Sequence, residues 1–184
     1  VRAIRKLIPS QNILYLADQA HVPYGEKGLD EIRTFAVGIA EFLRMRGATL
    51  NVIACNTASS AALHHLRKNF PDIPIVGMEP AVKPASALTK SGVVGVLATP
   101  ATFQGELYHS LVERFGKCVT ILQEPCQGLV QEIELGNLQS NRVRQILTQA
   151  IKPMIAKGAD ALVLGCTHYS FVIPFIREIA GEKV

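Results

Sequence analysis

Two cysteines occupy matched surroundings in this 184-residue chain. Asn51-Val52-Ile53-Ala54-Cys55-Asn56-Thr57 is an apolar run that ends in a small residue, a thiol and two hydrogen-bonding side chains. Leu162-Val163-Leu164-Gly165-Cys166-Thr167-His168 repeats that plan near the other end of the sequence. A thiol between a strand and the helix after it meets unpaired backbone N–H groups and the positive end of a helix dipole, which favour thiolate. A free cysteine ionises near pH 8.5, about the range such a site can bring toward neutrality. Two acid/base groups facing one carbon can take a proton from one side and return another from the opposite side. That is the requirement for inverting a stereocentre. Ala54, Ala58, Ser59, Ser60 and Gly165 are small enough to let a ligand approach the backbone. Cys118 and Cys126 lack this context and read as ordinary small, buried residues.

Other chemistries do not find their residues. A Cys-x5-Arg phosphatase loop would need arginine where Ala61 and Val172 stand. No Gly-x-Gly-x-x-Gly loop or P-loop is present, and Gly92-Val-Val-Gly95 is too sparse. Cys166 and His168 have no partner pair at zinc spacing, so no metal is expected. No lysine follows a strand as a Schiff-base residue would, so no cofactor is expected either. A redox dithiol is disfavoured by the absence of Cys-x-x-Cys.

The elements that must position these thiols are legible as an alternation. Strand-length apolar runs fall at 13–17, 50–54, 73–76, 93–97, 119–122 and 161–164. Helical patterns fall at 30–46, 57–69, 80–90, 102–115, 128–135, 142–157 and 170–180. In 30–46 the apolar residues Ile32, Phe35, Ala36, Ile39, Phe42 and Leu43 lie on one face, and Gly47 follows as a stop. Such alternation predicts an α/β fold of mainly parallel sheets flanked by helices, with ligands at the carboxyl ends of the strands. Pro71, Pro74, Gly77 and Pro80 punctuate the chain most strongly. We therefore expect a first lobe over 1–79 carrying Cys55 and a second over 80–184 carrying Cys166.

Composition agrees with a packed α/β protein. Apolar residues make up 48% and charged residues 18%, enough for a sizeable core. Nineteen basic and 15 acidic residues give a formal charge of +4 without a dense basic run, so no nucleic acid is expected. No run approaches the roughly 20 apolar residues of a membrane helix. Four cysteines are too few for a disulfide scaffold, and no leader is read at Val1, so a reducing cytoplasm is expected. Val1, Ile4, Leu7 and Ile8 read as the tail of a helix, and a further strand should follow 170–180. Both ends therefore read as cuts in a longer chain.

Ala54-Cys55-Asn56-Thr57-Ala58 and Gly165-Cys166-Thr167-His168-Tyr169 resemble two signature segments of the glutamate racemases, within the aspartate/glutamate racemase superfamily. Asp18-x-Ala20-x-x-Pro23-Tyr24-Gly25 resembles a third. Phe70-Pro-Asp-Ile-Pro74 and Gly95-x-x-Ala98-Thr99-x-Ala101-Thr102 continue the match in order. The resemblance implies two pseudo-symmetric lobes with the active site between them. It implies cofactor-independent conversion of L-glutamate to D-glutamate for peptidoglycan in the cytoplasm. Cys55 and Cys166 would be the two acid/base residues, one for each enantiomer. His168 would assist Cys166, and Glu134 resembles an acidic helper near that thiol, although Gln127 replaces the proline usual after the cysteine matching Cys126. Tyr24, Gly25, Asn56, Thr57, Thr99, Thr102, Thr167 and His168 would contact substrate. Homodimers are common in the family. Its opening Asp-Ser strand has no counterpart here, and its closing segment, which completes the first lobe, is also missing. The alternatives are aspartate or hydantoin racemisation on the same fold, and a non-catalytic binding domain or inactive fragment.

Overall fold

The computed structural model describes every residue except Lys183. Parallel sheets flanked by helices make up the chain, in agreement with the α/β expectation. β1 (Asn51–Val52) and β2 (Ile75–Val76) pair in parallel, Asn51 against Ile75 and Val52 against Val76. β3 (Val93–Ala98) is central to a second parallel sheet of order β4-β3-β5, with β4 at Thr120–Pro125 and β5 at Ala161–Leu164. Val94, Val96, Leu97 and Ala98 of β3 are wholly buried, as a strand covered on both faces requires.

The helices follow from their apolar stripes. α2 (Leu29–Met45) buries Ile32, Ala36 and Ala40 at helical spacing, and Gly47 closes it with φ of +82°. α3 (Asn56–Asn69) is small and buried along its first two turns, which lets α2 and the helices at Pro100–Gln104 and Glu106–Phe115 approach it closely. α8 (Asn141–Ala156) begins at Ser140, whose hydroxyl accepts the Val143 N–H at 3.2 Å. Its buried face of Val143, Ile146, Leu147, Ala150, Ile151 and Met154 packs beneath the second sheet with Leu97 and Tyr169. The remaining helices are α1 (Arg2–Leu7), α4 (Val82–Leu88), α5 (Pro100–Gln104), α6 (Glu106–Phe115), α7 (Leu129–Glu134) and α9 (Ile173–Ala180).

Three expectations change. Residues 13–17 form no strand: they have no ladder partner, and Leu14 and Tyr15 are 50% and 67% exposed. An apolar run becomes a strand only beside another strand. The helix expected over 102–115 is broken at Gly105 into α5 and α6. A Cβ on Gly105 would lie 2.2 Å from Ser60 Oγ and 2.5 Å from the Ser60 carbonyl, so the break is the place where α3 crosses. The helix expected over 170–180 begins earlier, as a 3-10 segment at Thr167–Val172 leading into α9.

Candidate active site

Both signature cysteines stand where a strand hands over to a helix, in different settings. Cys55 is the N-cap of α3, and its sulfur accepts the Ala58 N–H at 3.4 Å. The side chain is half-buried, beside Tyr24, Ile53, Ala58 and Ala101. Cys166 follows β5 and is 8% exposed. Burial pushes its thiol up to about 12; nearby backbone N–H groups of His168 and Tyr169 pull it down, and charge at Cys55 opposes its ionisation. Each cysteine is thus within electrostatic reach of the other. The expectation that both helix starts draw their thiols toward neutrality does not hold for Cys166, because only a short 3-10 turn follows it and the sulfur is desolvated.

Beside Cys166 lies a hydrogen-bonded chain. His168 Nδ1 is 3.7 Å from the Cys166 sulfur, and His168 Nε2 is 2.5 Å from Glu134 Oε1. With Nε2–H donated to the carboxylate, Nδ1 is left as the acceptor facing the thiol. Glu134 is the last residue of α7, so this helix delivers a carboxylate to a histidine more than thirty residues further along the chain. The Glu134 side chain is exposed and pairs with His168.

The other signature residues gather around the carboxyl end of β3. Thr57 of α3, Thr99 after β3 and Thr102 of α5 are each under 5% exposed. Their hydroxyl oxygens lie 3.0 Å (57 to 99), 3.1 Å (57 to 102) and 2.9 Å (99 to 102) apart. In each pair either hydroxyl can be the donor, so the cluster can offer both protons and lone pairs. Further donors are the backbone N–H groups at the starts of α3 and of the Thr167–Val172 turn. The Asn56 Oδ1 atom is buried without a hydrogen-bond partner among the described residues, a second acceptor beside Cys55. Thr167 is half-buried next to Cys166.

Tyr24 and Gly25 lie on a 3-10 turn, Tyr24–Glu26, with Gly25 buried against the Thr99 side chain. The Tyr24 hydroxyl donates to Asp18, whose carboxylate also meets His21 Nδ1 at 2.7 Å. Burial works to raise the Asp18 carboxyl, but the hydrogen bonds from Tyr24 and His21 outweigh it and hold it below its ordinary value. The same pairing, with burial as the larger cause, pushes the Tyr24 hydroxyl up, and charge at Cys55 adds to this. Asp18 stands six residues before Tyr24 in the signature segment, and the fold turns that spacing into a contact. His21 serves this cluster and stacks on Phe35 at 3.8 Å.

Three of the small residues near the cysteines make close contacts within the fold. Ser59 accepts the Met78 N–H, Ser60 donates to the Thr102 carbonyl, and a Cβ at Gly165 would sit 2.8 Å from Ala98 Cβ. Ser60 and Gly165 thus let neighbouring backbones approach one another closely. Among the described residues no cluster of His, Cys, Asp or Glu has the composition of a metal site, and no helix is long and apolar enough to cross a membrane.

Fold and site together define an α/β protein with one thiol at the end of each of two parallel sheets, at the start of the helical segment that follows. A model of the Asp/Glu/Hydantoin racemase family matches residues 1–182. The glutamate racemase of Roseiflexus sp. (strain RS-1) is 51% identical over 182 residues, which are 99% of this chain and 67% of that protein. The glutamate racemase of Ectopseudomonas mendocina (strain ymp) is 48% identical over all of this chain and 70% of its own length. The crystal structure of a glutamate racemase isoform from Bacillus anthracis superposes with a TM-score of 0.85 at 29% identity, covering 100% of this chain and 69% of that one. The Escherichia coli glutamate racemase, solved in complex with L-glutamate and the activator UDP-MurNAc-Ala, gives 0.83 at 34% identity, over 98% of this chain and 68% of that one. The chain belongs to the Asp/Glu/Hydantoin racemase family.

Proposed function

We propose that this protein racemises glutamate without a cofactor, using Cys55 and Cys166 as paired acid and base. The observation that carries the reading is the placement of the two thiols at strand-to-helix junctions of the two sheets, each within the other's electrostatic reach. The roughly half-identical glutamate racemases that match nearly the whole chain support glutamate as the substrate.

In one direction, Cys55 as thiolate removes the Cα proton of one enantiomer, and Cys166, kept as a thiol by burial, returns a proton from the opposite side. One proton leaves carbon and one arrives, and no electrons are exchanged. The enzyme ends with its proton on the other sulfur. His168, oriented by Glu134, is placed to take the Cys166 proton when the reverse reaction requires a thiolate there. Asn56, Thr57 and Thr167 offer hydrogen-bond donors to the substrate carboxylate, and Thr99 and Thr102 line the site beside Thr57. The N–H groups opening α3 and the Thr167–Val172 turn hold the carboxylate as negative charge develops at Cα. Tyr24 and Gly25 line the same cleft. The lobes in this reading are residues 1–79 and 80–184. The product supplies peptidoglycan precursors in the cytoplasm, and the enzyme works as a homodimer.

The test is proton NMR in D2O with L- and D-glutamate, with aspartate as the comparison substrate. The expected result is loss of the Cα proton signal with inversion from both glutamate enantiomers. Exchange with aspartate in place of glutamate would move the substrate assignment within the family. No exchange with either would remove the catalytic reading.

A further inference from the structure

Asp18 opens a signature segment and takes no part in the proton transfer itself. Its half-buried carboxylate gathers two polar groups from the residues that follow it. The Tyr24 hydroxyl donates to Asp18 Oδ2, and His21 Nδ1 lies 2.7 Å from Oδ1 and 2.9 Å from Oδ2. Among the described residues, these are the side-chain hydrogen bonds that residues 1–23 make. The stretch from Ile8 to Pro23 has no helix or strand of its own, so this cluster and a few backbone turns fix its shape. Phe35 of α2 anchors the cluster. The His21 ring stacks on it at 3.8 Å, and the Lys27 ammonium, just past the Tyr24 turn, lies 5.5 Å from its centroid. Tyr24 and Cys55 pack against the same buried patch of Ile32, Ala58, Ala61 and Ala101. Tyr24 thus joins Asp18 to the surroundings of Cys55.

We propose that Asp18 is a positioning residue for Cys55: by holding the Tyr24 hydroxyl it fixes the phenol ring as a wall beside the sulfur. The inference rests on the racemase reading for the reaction that Cys55 serves, while the tie itself is a property of the fold. A phenol has one proton, and the carboxylate takes it, so the Tyr24 ring cannot swing away without breaking a charge-assisted bond. His21, stacked on Phe35, holds the carboxylate in turn, so the tie ends on α2. The same helix carries Ile32 of the patch under Tyr24 and Cys55, so ring and tie are referred to one rigid element. A misplacement of about 1 Å near a reacting group is enough to lower its rate. Asp18 therefore acts on the thiol through Tyr24 and not by contact with it.

The experiment reads Cys55 directly in the full chain. Alkylation of each cysteine by iodoacetamide is followed by peptide mass, with the exposed Cys118 as internal reference and thermal unfolding measured alongside. Asp18→Ala is expected to speed Cys55 alkylation on the order of fivefold while Cys118 is unchanged. Tyr24→Phe keeps the ring, cuts the same tie from its other end and is expected to match it. It also serves if Asp18→Ala does not fold. Both changes act on one tie, so the double variant is expected to label no faster than either single variant. Asp18→Asn keeps an acceptor for the phenol and is expected to stay within about twofold of the wild type. Wild-type labelling in a folded Asp18→Ala or Tyr24→Phe would overturn the proposal. So would rates that multiply in the double variant, because Asp18 would then act by a route other than Tyr24. An Asp18→Asn as fast as Asp18→Ala would overturn it too, because holding the phenol would not then be what matters. Racemisation of L- and D-glutamate is measured on the same samples. Its kcat/KM is expected to fall roughly fivefold in each single variant, with no further loss in the double. The labelling pattern without any racemisation by the wild type would leave the tie standing and remove the racemase reading. Wild-type racemisation that Asp18→Ala and Tyr24→Phe leave unchanged would overturn the positioning role and keep that reading.

Discussion

Cys55 and Cys166 look equivalent in the sequence and are not equivalent in the fold. Cys55 caps a fourteen-residue α-helix, is half-buried and accepts a backbone N–H. Cys166 opens a six-residue 3-10 turn, is buried, has a histidine as its polar neighbour and is held as a thiol. A reaction that inverts a stereocentre needs one base and one acid at the start of each turnover. The environments differ without any difference in the residues themselves: burial holds the proton on Cys166, whereas Cys55 stands half-buried at a helix N-terminus. What differs is the length of the helix that follows and the depth at which the sulfur sits. A second difference accompanies the first: the His168–Glu134 pair stands beside Cys166, at hydrogen-bonding distance of the buried thiol.

The comparison breaks most severely if one thiol proves dispensable. Cys55→Ser and Cys166→Ser are each expected to lower racemisation by on the order of 10³-fold or more, because a hydroxyl is a far poorer base than a thiolate. Full activity in either variant, measured by polarimetry from both enantiomers, would end the two-base scheme. The His168–Glu134 pair should show a smaller effect. Glu134→Gln and His168→Asn are expected to reduce kcat/KM by roughly 10- to 100-fold. The two enantiomers have equal free energy, so any loss in kcat/KM must be the same in both directions. The one-sidedness of the pair can appear only in how that loss divides between kcat and KM for L- and D-glutamate. Identical division for both enantiomers would mean that His168 does not serve Cys166 in particular.

The sequence carried the topology well where burial dictates pattern. The wholly apolar β3, the helical face of α2 that carries Ile32 and Ala36, and the strand ending at Leu164 were all visible, because a buried face must repeat with the period of its element. Residues 13–17 misled for the same reason, since an apolar run says nothing of whether a neighbour pairs with it. Cys55, Cys166 and the threonines were legible as types in a motif. Their states were not. That the threonine hydroxyls close a ring depends on residues 42 and 45 positions apart meeting in space. The contact of Glu134 with His168 is likewise a contact between distant segments, and no local spacing announces it.

The smallest expected effect sharpens the contrast from the side of stability. Cys126 and Cys166 are both pushed up from 9.0 to about 12, burial being the larger cause for each. In the unfolded chain these thiols lose their protons above about pH 9, whereas in the fold they keep them until about pH 12. Over that window the folded state binds more protons than the unfolded one, so stability falls as pH rises. The stabilisation is complete below pH 9 and declines by on the order of 1 kcal/mol per pH unit for each group. Urea midpoints between pH 8 and pH 10 should therefore drop in the wild type. The drop should shrink by about half in Cys166→Ala and again in the double variant with Cys126→Ala. The fall with pH is the quantity to compare, because each alanine also removes packing and lowers the midpoint at every pH. If Cys166→Ala leaves that fall intact, burial does not hold the proton on Cys166, and the division of labour between the two thiols has to be sought in the substrate complex instead.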